Sequence, residues 1–418
     1  METQETNTSG RARTGRKLRL LLLIFLGVFL VYLLSPVIQS SDSRLVIYVS
    51  SSILHEGNTN LDEYVPALQG YYALIYVNGH YYSKYPIGTS LIVLPFVFIA
   101  DVLSNGALNT SLHQSQIVGT AVALELAIAS GIVALAAVII FLVGRLYLPT
   151  RLALFVTFAF AFCTSAWSTS SRALWQHGPS MLMLTIALYL LIRAQQRESL
   201  AQYAALPIAF SYVIRPTNAV SVIILSIYVL LAHRRIFIRF LLWAACIALP
   251  FVLYSYSAFH LLLPPYYLSQ ETSITTLGEA LLGHLFSPGR GLIIYSPIML
   301  VAIAGIILKV RTKNLTALEF ALVIILLLHW LMISLFKDWP GGASFGARYF
   351  ADVVPYFVYF LIPIVLWLKD YRVQSARLLI IGLTLVSLWI NWRGAIRQET
   401  FFSYDHIESI WHDWSFLK

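Results

Sequence analysis

Asp42, Asp62, Glu63 and Lys84 stand together in a polar, aromatic segment, Gln39 to Pro86, which follows the first hydrophobic run of a chain otherwise made of such runs. Side chains of these types suit chemistry on a lipid-linked phosphate. Asp42 lies in Ser40-Ser41-Asp42-Ser43-Arg44, and the spaced apolar residues up to Leu54 fit a helix lying on the membrane surface. A partly desolvated carboxylate held there can accept a proton from an incoming hydroxyl or amine while a sugar leaves its lipid phosphate. It can also serve simply as the cap of that helix. Lys84, in Tyr81-Tyr82-Ser83-Lys84-Tyr85-Pro86, can meet a lipid phosphate as a compact point charge, or snorkel beside an aromatic belt. Tyr82 and Tyr85, with Tyr71, Tyr72, Tyr76 and Tyr81, can stack on a sugar or sit at the interface. Asp62 and Glu63 are adjacent and would not share a face of a regular helix. They offer oxygen ligands to a divalent metal ion, or are solvated loop charges.

Three later segments set an arginine among aromatic, Gly and Pro residues. They are Arg172-Ala173-Leu174-Trp175-Gln176-His177, Ser287-Pro288-Gly289-Arg290-Gly291, and the stretch from Trp339 through Arg348 to Tyr349. Arg215 adds a fourth cation between two short apolar runs. Arginine forks suit phosphate oxygens, and an arginine in or beside a membrane is costly unless it is paired or functional. Each can instead pair with a local carboxylate such as Asp338 or Asp352. Four cations facing one acidic segment point to an anionic substrate more strongly than any one of them. His177 is a general acid or a satisfied polar residue at a helix start. Glu125, alone in an apolar run, requires a partner, either in helix packing or in catalysis.

The elements that must position these residues are membrane helices. Apolar residues make up 59% of the 418-residue chain and charged residues 11%, the signature of an all-α polytopic membrane protein. Eleven runs are apolar enough to cross: 18–37, 117–143, 150–167, 177–194, 201–214, 217–232, 237–259, 291–308, 316–336, 353–368 and 376–392. With the basic tail 1–17 in the cytoplasm, the clusters around Arg145, Arg193, Arg234, Lys309 and Lys369 all fall on the same side, as the positive-inside rule asks. Gly88 to Leu103 then lies in the outer interface or as a shallow re-entrant helix, since a full crossing there would invert every later cluster. The same parity places 38–116, 168–176, 215–218, 260–290, 337–352 and the tail 393–418 outside, and makes the chain one membrane domain. The net charge of +9 is accounted for by these flanking clusters, which argues against nucleic acid as a partner. Cys163 and Cys246 lie in apolar runs without ligand-like spacing, so no disulfide framework or zinc site follows from them.

On these residues the chain resembles the GT-C superfamily of polyprenyl-phosphate-dependent glycosyltransferases, in particular bacterial relatives of protein O-mannosyltransferases and of the lipid A aminoarabinose transferase. In that family an Asp shortly after the first helix opens an outer loop rich in surface helices, and Asp42 falls in that place. Asp42-Ser43 stands where members often read Asp-Glu. Lys84-Tyr85-Pro86 stands where members read Lys-Pro-Pro, so the resemblance implies that Lys84 binds the carrier phosphate. The long outer loop between the seventh and eighth spans corresponds to 260–290, and the Gly-Gly-x-Ser-Phe-Gly-x-Arg stretch ending at Arg348 looks like one in bacterial members.

The resemblance implies an inverting transfer, on the outer face of a bacterial cytoplasmic membrane, from a polyprenyl-phosphate sugar to a lipid, glycan or protein acceptor. Asp42 is then expected as general base. Lys84, Arg172, His177, Arg215, Arg290, Arg348, Tyr82 and Tyr85 are expected as substrate ligands, and Asp62 with Glu63 as a possible metal pair. A transporter or flippase of a lipid-linked saccharide would use the same cations to hold a headgroup, and an outer-face glycan polymerase or ligase would move larger units. Polar residues clustered at one face, without a visible internal duplication, favour the transferase over the transporter.

Overall fold

Without water in the hydrocarbon core, a spanning chain must satisfy its backbone internally, so the apolar runs fold as helices. The computed structural model describes residues 2–38, 41–114, 119–397, 409–412 and 414. Most of the expected outer tail, 393–418, lies outside them. Among the described residues six helices are long and apolar enough to cross a membrane: Gly119–Tyr147, His177–Ala194, Arg234–Phe259, Ala317–Ser334, Arg348–Tyr371 and Gln374–Ile396. The first run belongs to the helix Glu2–Leu33. The other four expected spans are shorter or broken. The run 150–167 ends as a helix at Phe162 and widens into a separate π-helical turn at Ala166–Ser170. Likewise 291–308 divides into Leu292–Tyr295 and Met299–Arg311, while 201–214 and 217–232 form Ala205–Ile214 and Ala219–Ala232. Apolar composition gave these runs their expected length, and Pro297 and Pro216 within or beside them set the breaks.

Gly119–Tyr147 is the hub. It packs on Glu2–Leu33, Thr150–Phe162 and His177–Ala194, and its buried face is rich in small residues, among them Ala129, Ala134, Ala136, Ala137 and Gly144. Small side chains let helix backbones approach, which is how helices gain packing energy where burial from water contributes little. Arg234–Phe259, by contrast, keeps Ile238, Leu242, Leu249 and Leu253 exposed, a surface suited to hydrocarbon.

The segment after the first helix is more structured than an interfacial loop. Leu45–His55, expected on the membrane surface, is covered from Leu45 through Ser52 and packs on Gly88–Leu103. Its serines tolerate this because they find partners inside: the Ser50 hydroxyl donates to the Ser90 carbonyl at 2.9 Å. The tyrosine-rich stretch forms an antiparallel hairpin, Leu74–Val77 with His80–Ser83, in register Leu74↔Ser83 to Val77↔His80. Asn78 and Gly79 make its two-residue turn with φ of 51° and 89°, the conformation a type I′ turn requires.

Gly88 sets how closely this outer layer docks on the helices. A Cβ there would lie 2.7 Å from the Val213 carbonyl oxygen and from the Ile214 nitrogen, backbone atoms immediately before Arg215. Gly88→Ala must therefore push Gly88–Leu103 off Ala205–Ile214. Overpacking of this kind costs about 1–3 kcal/mol, so the variant's unfolding midpoint in detergent should fall by several degrees, whereas alanine at the open position Gly278 should leave it unchanged.

Candidate functional site

Seven chain segments converge on one cavity of about 180 Å³, walled by Asp42 to Val46, Tyr85 to Thr89, Leu174 to His177, Arg215 to Thr217, Tyr266 to Gln270, Met332 with Phe336, and Arg348 with Tyr349. Five of the residues picked out in the sequence meet there: Asp42, Tyr85, His177, Arg215 and Arg348.

Asp42 and Arg348 form one pole. The Asp42 Oδ1 accepts from the Tyr85 hydroxyl at 2.7 Å and from that of Tyr72. Its Oδ2 lies 3.7 Å from Arg348 Nη1, with 29% of the Asp42 side chain exposed and 15% of that of Arg348. Burial first, and the neighbouring carboxylate second, push the Tyr85 phenol well above its ordinary range. The phenol therefore stays a donor and orients the carboxylate. The Arg348 guanidinium lies over Trp175 at 5.0 Å and over Tyr349 at 5.4 Å, cation–π contacts that hold it toward the cavity. Glu125 frames this pole from beneath. Its Oε1 accepts both from the Ser43 hydroxyl, next to the candidate base, and from the Leu174 N–H at 3.1 Å, next to the Trp175 platform.

Asp352 organises the other pole. Fully buried, it meets Arg215 Nη1 at 2.9 Å and His177 Nδ1 at 3.3 Å, and it accepts from the Thr217 hydroxyl at 3.4 Å. Arg215 also lies over the Tyr349 ring at 5.6 Å. His177 is thus both the first residue of its helix and part of the cavity wall.

The remaining candidates lie elsewhere, so of the four cations expected to face one acidic segment, only Arg215 and Arg348 reach the cavity. Arg172 is fully buried and spends its donors on protein: Nη1 on the Ser35 carbonyl at 2.7 Å, Nη2 on the Tyr32 carbonyl, and Nε on the Ser171 hydroxyl at 3.1 Å. It caps carbonyls at the end of the first helix, the groups a helix leaves unpaired. Arg290 donates to the carbonyls of Pro340 at 2.7 Å, Ser344 at 2.8 Å, Gly342 at 2.6 Å and Gly289 at 3.0 Å. It pins the glycine-rich loop that delivers Arg348. Gly341 in that loop has φ of 74°, and a Cβ on it would strike the Tyr349 ring at 2.7 Å. Tyr82 packs against Phe259 at the hairpin, 5.0 Å between ring centres, and Lys84 is exposed outside the cavity wall. Asp62 is held by His80 at 2.6 Å and by the Tyr81 N–H at 2.7 Å. Among the described residues no group of three or more His, Cys, Asp or Glu side chains is placed to hold a metal ion.

Trp175, Tyr266 and Tyr349 complete the cavity wall, with Glu125 and Asp352, both noted in the sequence, buried behind it. The sequence offers Asp352 as a local carboxylate for the arginines, and in the fold it pairs with Arg215.

No protein-family model matches the chain, and no curated protein matches it. Two solved structures match its fold, both of the oligosaccharyltransferase of Archaeoglobus fulgidus. The apo form aligns with a TM-score of 0.58 at 13% identity, over 94% of this chain and 57% of that one. The complex with Zn and sulfate gives 0.56 at 14% identity, over 93% and 54%. The chain thus spans little more than half the length of the protein it matches, and at this identity the likeness shows the fold alone: a mostly helical chain that shares the architecture of the aligned part of that protein and carries, among its described residues, six helices long and apolar enough to cross a membrane.

The buried charge arrangement makes a direct prediction. Asp352→Ala strands Arg215 without a counter-charge, a loss of about 3–5 kcal/mol, and should lower the unfolding midpoint sharply. Asp352→Ala combined with Arg215→Met removes both charges and should recover most of that loss. A double variant no more stable than Asp352→Ala would show that the pair is not what stabilises this pole.

Proposed function

We propose that the protein is a membrane glycosyltransferase that moves a sugar from a polyprenyl-phosphate carrier to a lipid, glycan or protein acceptor on the outer face of the membrane. The observation that carries this reading is the Asp42 carboxylate facing the Arg348 guanidinium across one cavity, 3.7 Å apart, each held by aromatic residues and neither saturated by protein partners. In the transfer, Asp42 takes the proton of the acceptor hydroxyl or amine. The acceptor atom bonds to the anomeric carbon on the face opposite the phosphate, and the bond from that carbon to the phosphate oxygen breaks. The electron pair leaves with the phosphate, whose charge Arg348 balances. The anomeric configuration inverts. His177 and Arg215 line the donor site at the second pole, and Tyr85 keeps the carboxylate in line.

The fold neighbour's name, an oligosaccharyltransferase, supports glycosyl transfer as the activity to test first. That neighbour's structure also contains zinc. Among the described residues of this chain no group of three or more His, Cys, Asp or Glu side chains is placed to hold a metal ion, and no step of the proposed transfer passes through one.

Release of polyprenyl phosphate from radiolabelled polyprenyl-phosphate sugars, with a membrane extract as acceptor source, reads the reaction. Wild type should release it, and Asp42→Asn should lower turnover by about 10²–10⁴, the usual contribution of a general base, while still binding the lipid donor. Saturable binding without release by the wild-type protein would replace this reading with that of a saccharide-lipid transporter.

A further inference from the structure

We propose that the protein carries a binding site for an anionic phospholipid at the end of the bundle remote from the cavity. Arg348–Tyr371 forms one apolar span of 24 residues. It begins at the cavity and ends at the turn carrying Lys369 and Arg372, roughly 36 Å away at about 1.5 Å per residue, enough to cross a bilayer core. At that far end, between Thr150–Phe162, Leu361–Tyr371 and Gln374–Ile396, lies a groove of about 590 Å³. Its mouth carries three cations, Lys369, Arg372 and Arg377, and its walls are apolar, with Phe155, Val365 and Ile381 among them.

The protein leaves the charge of these cations uncompensated among the described residues. No ion pair joins any of the three to a carboxylate among the described residues. Arg377 makes one side-chain bond, from Nη2 to the Leu368 carbonyl at 3.1 Å, which caps the end of Leu361–Tyr371. Lys369 and Arg372 make no side-chain hydrogen bond among the described residues. Arg372 holds φ of 51°, a left-handed conformation that glycine or asparagine adopts at lower cost. The outcome is an arginine displayed at a strained helix end beside a lysine and a second arginine. Leu378 and Ile381, 61% and 52% exposed on the adjoining helix, continue the apolar wall away from the charges.

Charge complementarity selects the occupant. Three cations at the rim meet a phosphodiester, and an apolar channel between helices receives an acyl chain, the pattern by which basic pockets between membrane helices hold anionic headgroups. A zwitterionic lipid would bring its own cation against all three. The site neither depends on the proposed transferase activity nor shares a residue with the cavity.

Native mass spectrometry of the full chain released from detergent, titrated separately with phosphatidylglycerol and phosphatidylcholine, tests this. Wild type should retain phosphatidylglycerol selectively. Lys369→Gln combined with Arg372→Gln leaves the Arg377 cap in place and should bind that lipid roughly tenfold to thirtyfold more weakly, as expected for two cations near an anionic headgroup. Arg311→Gln combined with Lys313→Gln removes the same charge from an exposed turn outside the groove and should bind as wild type. Equal weakening in both double variants overturns the site, as does the absence of a preference over phosphatidylcholine. Displacement of the lipid by soluble glycerol 3-phosphate at matching concentration also overturns it, because the groove would then read the anion without the chain. Should the first double variant fail to fold, Arg372→Gly removes one cation and suits the local backbone. It should bind phosphatidylglycerol more weakly while unfolding no earlier than wild type, and unchanged binding refutes the proposal.

Discussion

A guanidinium buried in an apolar bundle must be neutralised or fully hydrogen-bonded, and four arginines of this protein meet that demand in different ways. Arg172 and Arg290 are satisfied largely by backbone carbonyls, Arg215 by a buried carboxylate, and Arg348 by aromatic faces and a distant acid. The first two solutions saturate the cation and lock the backbone. Arg172 ties the end of the first helix to the turn before His177–Ala194, and Arg290 fixes the glycine-rich loop. These internal ties hold still the segments from which the cavity is built. Arg290 holds the loop that carries Arg348 through backbone carbonyls, while Arg348 keeps its guanidinium facing Asp42.

Two buried carboxylates divide the remaining labour. Glu125 projects from the hub helix and joins the loop of Asp42 to the loop of Trp175 through a single oxygen. Asp352 gathers Arg215, His177 and Thr217 from two other helices. Neither acid is free to move without breaking contacts to separate chain segments, so each fixes a distance within the cavity. The distance between Asp42 and Arg348 is set in part by Glu125, which touches neither.

Much of the class, and less of the site, was legible in the sequence. Apolar run length identified a helical membrane protein because the bilayer imposes that length. It did not foretell where helices break, since a run such as 291–308 reads as continuous although Pro297 divides it. The Asn78-Gly79 turn has a local signal, yet the surrounding tyrosines read equally well as interfacial anchors. Asp42, Tyr85, His177, Arg215 and Arg348 could be found because polar residues are conspicuous in such a chain. The fate of Arg172 could not be, because its partners Ser35 and Tyr32 lie 137 and 140 residues away. Residue type announces that a buried arginine needs a partner, and only the tertiary fold says whether that partner is protein or substrate.

The asymmetry between the two poles bears on the order of events in the proposed transfer. Arg215 and Asp352 are 2.9 Å apart and buried, so an incoming phosphate would gain little by competing for that guanidinium. Arg348 and Asp42 are 3.7 Å apart, beyond hydrogen-bond length, and partly open. A phosphate oxygen can occupy Arg348 more closely than Asp42 does. Its arrival draws the guanidinium off the carboxylate and leaves Asp42 oriented by Tyr85 and Tyr72 alone, with Oδ2 turned to the cavity. The same contact that holds the empty site together is thereby exchanged for one with the donor. On the proposed reading, the base becomes available to an acceptor only after the sugar phosphate is in place, which limits access to Asp42 while no donor is bound.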